Sequence, residues 1–249
     1  MKKVLVFLFV AVLALTASKA ASADKFCDMA RDAGKKPDRV FLVLVDPSTG
    51  SLDQVGKTLA RGLLRLYDEL GEFDEVIVRR ADSNLSSGST VFDRCMPACP
   101  DPSIWDKLGI GSCDTMQVRK GKSAFKSDLT SSAISLLSEN QSIRSSDLVS
   151  TLMSIQKNYG QVSKIILFSE LQHVGPSLAP RTPDDYDELF FQVVTEDSVP
   201  DLSGRALTVF GYGMTPNVDP EEIRDRRLFW DQLFSLSGFD QVRVGQTYQ

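Results

Sequence analysis

Six apolar residues, Val40 to Val45, run without a break and stop at Asp46. That is the pattern of a strand buried on both faces, inside a parallel sheet covered by helices. Pro47 cannot continue a ladder, and Ser48, Thr49, Gly50 and Ser51 make a small polar loop. A helical period follows at once: Leu52, Val55, Leu59, Leu63, Leu66 and Leu70 recur at steps of three and four. Gly71 is a stop signal, and Glu75 to Arg79 reads as the next strand. Strand, amphipathic helix and buried strand in that order predict a right-handed βαβ unit.

The pattern breaks between residues 80 and 126. Ser83 to Ser89 has loop composition, and three of the four cysteines follow with Pro97, Pro100 and Pro102. This reads as a cross-linked insertion at the sheet edge, with a short strand near Thr115 to Val118. Helical spacing returns at Asp128 to Leu137. A second helix is predicted from Ser146 to Tyr159, with Asp147 near its start and Gly160 after its end. Lys164 to Ser169 is another apolar strand ending in a hydroxyl, followed by an acid, Glu170. Like Val40 to Ser48, it sets an acid and a hydroxyl at the end of a buried strand. A Pro-rich connection spans residues 171 to 203, with a helix from Asp184 to Val194. Arg205 to Gly211 is a further strand. Pro220 to Ser237 is a helix, with Asp219 as cap, Pro220 at the first helical position and Gly238 as stop. Ile223, Trp230, Leu233 and Phe234 form its apolar face. Phe239 to Val244 closes the chain as an edge strand.

The amino-terminal residues are excluded from the fold. Lys2 and Lys3 precede an apolar run, Val4 to Leu15, and Ala21-Ser22-Ala23 has the small-x-small shape of a secretory cleavage site. The run is shorter than the roughly 20 residues a spanning helix needs. Residues 1 to 23 therefore read as a removed signal peptide, and the mature chain, 24 to 249, as periplasmic or secreted, with no transmembrane segment. The whole chain has a net charge of −5, and residues 1 to 23 contribute only lysines to it, so the mature chain is more acidic still. A nucleic-acid binder would show a basic stripe instead. Cys27, Cys95, Cys99 and Cys113 are an even set in an exported chain, which predicts two disulfides in one of three pairings. Zinc is the alternative, but Cys-x3-Cys is a poor match to structural zinc spacing.

The order of elements and the loop residues together resemble the von Willebrand factor A domain. Asp46 and Ser48 match the first two positions of that family's Asp-x-Ser-x-Ser loop, while Gly50 replaces the second serine. Ser127, before Leu129 and Ala133, stands where the family has a Thr ahead of a helix. Glu170 stands where it has an Asp after the fourth strand. The resemblance implies an α/β fold: one domain, residues 24 to 249, built on a doubly wound, mostly parallel six-stranded sheet with helices on both faces and the cysteine insertion at about 80 to 126. It implies a degenerate metal-ion-dependent adhesion site of Asp46, Ser48, Ser127 and Glu170, taking Mg²⁺ or Mn²⁺ weakly. It also implies binding of another protein rather than catalysis. With the export signal, the expectation is a non-catalytic protein-binding or assembly module of the cell envelope, part of a larger exported machine such as a secretion or conjugation apparatus. The partner would be another protein, an envelope or secretion component.

Elementary physics reaches the same crevice. In a doubly wound sheet the loops after the two central strands diverge and leave a ligand site at their carboxyl ends. Mg²⁺ wants hard oxygen ligands and keeps several waters, and Gly50 removes one hydroxyl from the set. An Asp closing a strand before Pro and Ser also suits a plain Asx turn or helix cap. A periplasmic hydrolase using Ser48, Glu170 and His173 is the alternative function. His173 is the only histidine, and no Gly-x-Ser-x-Gly elbow is present.

Overall fold

The computed structural model describes residues 24–47, 52–81, 85, 90–100, 113–138, 147–172, 182–195, 199–214 and 218–248. The strands are β1 (Val40–Val45), β2 (Glu75–Arg80), β3 (Phe92–Cys95), β4 (Lys164–Phe168), β5 (Ala206–Phe210) and β6 (Gln241–Gly245). They form one six-stranded sheet in the order β3-β2-β1-β4-β5-β6. β3 is antiparallel to β2, and every other pairing is parallel. The order reverses between β1 and β4, so the connections from these two strands leave the carboxyl edge in opposite directions.

The helices are α1 (Lys25–Asp32), α2 (Leu52–Glu69), α3 (Thr115–Ser138), α4 (Leu148–Asn158), α5 (Pro183–Thr195) and α6 (Pro220–Leu236). Alternation along β1 divides the core into two layers. Phe41, Val43 and Val45 pack with Val55, Leu59 and Leu63 of α2 and with Phe125 and Leu129 of α3. Val40, Leu42 and Leu44 pack with Leu152 of α4, Leu189 of α5 and the aromatic face of α6. Val40 to Val45 are all buried, as an unbroken apolar run requires when both faces are covered.

The predicted end signals hold. The Asp219 carboxylate accepts from the Glu221 amide at 2.9 Å, Pro220 opens α6, and Gly238 has φ 74° after its last turn. Asp147 caps α4 through the Ser150 amide.

Two readings are corrected. Thr115 to Val118 is the first turn of α3 and not a strand, and the irregular segment ends before Thr115 rather than at residue 126. Asp114 starts the helix by accepting from the Met116 amide at 2.8 Å. Gly121 lies inside the helix, where a Cβ would come within 2.7 Å of the Phe26 ring. A glycine spacing two elements closely together looks the same in sequence as one ending a helix. The same segment also carries β3, which joins the sheet as its antiparallel edge.

Two disulfides form. Cys27–Cys95 ties α1 to the end of β3, and Cys99–Cys113 closes the segment before α3. Among the described residues, no helix is long and apolar enough to cross a membrane.

Candidate functional site

β1 and β4 end side by side. Val45 is in register with Phe168, and the Asp46 amide donates to the Phe168 carbonyl at 2.9 Å. Pairing therefore persists one residue past the strands and holds Asp46 level with Ser169. Both are fully buried. The Ser169 hydroxyl donates to Asp46 Oδ2 at 2.6 Å and accepts from the Leu171 amide at 2.8 Å. One hydroxyl thus bridges the carboxylate of one strand to the turn after the next. A buried carboxylate needs such donors, since each one missing costs about 1–3 kcal/mol or more.

The turn after β4 is strained. Leu171 has φ 58°, in the left-handed region that branched residues avoid. Such a conformation persists only where its surroundings over-determine it, and here they do. The Leu171 carbonyl accepts from Trp230 Nε1 at 2.8 Å, and the Leu171 side chain is buried. The Glu170 carbonyl accepts from Arg226 at 3.3 Å. Arg226 is itself buried; it also donates to the Tyr186 hydroxyl at 3.2 Å and to the Glu222 carboxylate. Burial raises the Tyr186 hydroxyl above its ordinary range, against the pull of the Arg226 charge. Nearby, the Tyr212 hydroxyl donates to the Ile223 carbonyl, and burial pushes it up to about 12. So α6 fixes the turn from behind through Trp230 and Arg226, and α5 contributes Tyr186.

Of the four residues of the expected metal set, the structure brings Asp46 and Glu170 to one edge, both buried. It does not bring Ser127 there. Ser127 is exposed in the middle of α3 and not ahead of a helix. Its neighbour Asp128 accepts from Arg94 at 2.6 Å, and Arg94 is level with Val76, near the amino end of β2. The physical reason is the early start of α3, which places residue 127 partway along the helix rather than in the loop at its tip. Ser48, Gly50 and Ser51 lie outside the described residues, as does His173. Among the described residues, no group of three or more His, Cys, Asp or Glu could hold a metal ion.

Sequence reasoning passed over Arg226, and Trp230 looked like plain core. The signal for Arg226 was present. It falls on the apolar stripe of α6, three residues after Ile223 and four before Trp230, and an arginine on a buried face must find acceptors there. Leu171 carries no such mark, because positive φ in a leucine has no sequence signature.

No family model and no curated protein sequence matches the chain. A solved structure described as von Willebrand factor type A from Catenulispora acidiphila is similar at a TM-score of 0.33 and 11% identity, over 82% of this chain and 43% of that one. The chain thus spans less than half the length of that protein. The doubly wound α/β fold stands on its own strand order.

Proposed function

We propose that the chain is an exported, non-catalytic protein-binding or assembly module of the cell envelope, and that it engages its partner at the carboxyl edge between β1 and β4. The observation that carries this reading is the strained turn Ser169-Glu170-Leu171 at the point where strand order reverses. In open α/β sheets ligands bind at that crevice. Strain there, held by Asp46, Trp230 and Arg226, is what a pre-organised recognition surface needs. Two disulfides suit an oxidising compartment, in keeping with a leader at residues 1 to 23 and a periplasmic or secreted mature chain.

Mg²⁺ or Mn²⁺ is at most a weak ligand in this reading. Asp46 and Glu170 supply carboxylates, Ser48 would have to supply a hydroxyl, and Asp46 Oδ2 already accepts from Ser169. No step of recognition is routed through the ion. A site of millimolar affinity would raise stability by only about 1 kcal/mol at a few-fold excess of metal.

The test is capture from an envelope fraction by the tagged, disulfide-bonded chain. Wild type and His173→Ala should capture the same protein. A hydrolase built on Ser48, Glu170 and His173 would instead lose roughly 10³-fold or more in rate on the His173→Ala change, and such a loss would overturn the binding reading.

A further inference from the structure

Two surfaces on opposite faces of the sheet carry opposite charge beside apolar groups. The first is a cavity of about 470 Å³ between α1, β3 and α3. Phe26, Pro97 and Phe125 form its floor, and Lys25, Arg94 and Lys120 stand around it. α3 carries Arg119, Lys120, Lys122 and Lys126 before its first acid, Asp128. This is a concentrated positive field on a chain whose net charge is −5. Asp24, the acid of the lining, is already engaged by the amides of Phe26 and Cys95. Arg94 pairs with Asp128 at 2.6 Å, and Lys25 reaches Gln117 at 3.3 Å. Gly121 and Ala124 complete the lining on the α3 side.

The second surface is the outer stripe of α5. Asp184, Asp187, Glu188, Phe191 and Val194 are exposed and follow one another at helical spacing along one face. Phe191 is 70% exposed and Val194 44% exposed, the former among the most exposed large apolar side chains described. α5 has no basic residue. An acidic first turn followed by an aromatic is the complement of a cationic rim over an aromatic floor.

We infer that the cavity beside α3 receives the α5 stripe of a second copy of this chain, with Phe191 against the Phe26–Phe125 floor and Asp187 and Glu188 against Lys25 and Lys120. The two surfaces differ, so the contact is heterologous, and a pair of copies keeps one cavity unused on one copy and one stripe unused on the other. Copies therefore add head to tail into short chains or a ring. One helix stripe buries less than the roughly 1,200 Å² of a durable interface, so the association is weak and grows with concentration. Neither surface includes Asp46, Ser169 or Glu170, so self-association and partner binding at the carboxyl edge can fail separately.

Sedimentation velocity on the disulfide-bonded chain, from about 1 µM to about 500 µM, tests this directly. The expected result is a mass that rises with concentration and falls back toward monomer in about 0.5 M salt, where exposed charges are screened. Lys120→Glu and Glu188→Lys should each weaken association about tenfold, and an equimolar mixture of the two should recover much of it. Phe191→Ser should weaken it by about tenfold or more through loss of the anchor. All three sites are exposed, so thermal melts of the variants should match wild type. A monomer across the whole range overturns the inference, even if the cavity then captures an acidic helix of another protein. Association indifferent to all three substitutions, or charge variants that fail to complement each other, overturns it equally.

Discussion

The two edges of the sheet are held by different physics. At the carboxyl edge, order comes from buried polar groups: Asp46 to Ser169, Leu171 to Trp230, and the Glu170 carbonyl to Arg226. At the amino edge it comes from a covalent tie, Cys27–Cys95, and from part-exposed charges. There Lys164 pairs with Glu69 at 2.8 Å and Arg94 with Asp128 at 2.6 Å, both pairs partly exposed, while Arg39 reaches the buried Asp74. Buried hydrogen bonds are costly to leave unmade and therefore fix a single geometry. Half-exposed ion pairs contribute little and tolerate change. One edge is built for shape and the other for cohesion, which is why the recognition surface is assigned to the first.

The largest effect should follow from cutting the support behind the turn. Trp230→Ala removes a fully buried ring and the donor to Leu171, and should cost about 3–5 kcal/mol in urea unfolding. If it costs under about 1 kcal/mol, the turn is not held from behind. At the other edge, Cys27→Ser with Cys95→Ser should cost about 2–4 kcal/mol. Hydrogen exchange sharpens the contrast. The double variant should lose protection in α1 and β3 first, while the amides of Asp46 and Ser169 stay protected. Simultaneous loss at both edges would merge the two regions into one cooperative unit.

Ser169→Ala should cost about 1–3 kcal/mol, since Asp46 then keeps a buried carboxylate short of one donor. The smallest effect is a pH dependence confined to the amino edge. Burial first, and the neighbouring Asp93 second, push Glu75 up to about 7, while Arg31 pulls it down. The folded state then holds this proton more tightly than the unfolded chain does. Its contribution is fully present below about pH 4.5 and is lost as pH rises through about 7. Glu75→Gln should flatten that part of the melting-temperature profile. A profile unchanged by the substitution would show that the folded state does not hold the Glu75 proton more tightly than the unfolded chain does.

The architecture was readable because it rests on pattern. The unbroken run at Val40 to Val45, the period from Leu52 to Leu70 and the cap-to-stop frame of Asp219, Pro220 and Gly238 are local signals that the tertiary structure has no reason to override. The site was half readable. Asp46 and Glu170 end strands, and topology alone brings strand ends together. Ser127 was misplaced because the start of α3 depends on Asp114 and on the close packing of Gly121 against Phe26. That contact spans residues far apart in the chain. Arg226 and Leu171 owe their roles to what surrounds them, and no spacing rule encodes it.

The central claim is that recognition happens at the carboxyl edge. Its most direct test is a photo-crosslinking amino acid placed at Gln172, just past the strained turn, and separately at Lys157, at the far end of α4 by the amino edge. After irradiation in intact envelopes, the Gln172 derivative should yield one discrete adduct with a partner protein, and the Lys157 derivative none. An adduct at Lys157 with none at Gln172 would contradict the assignment.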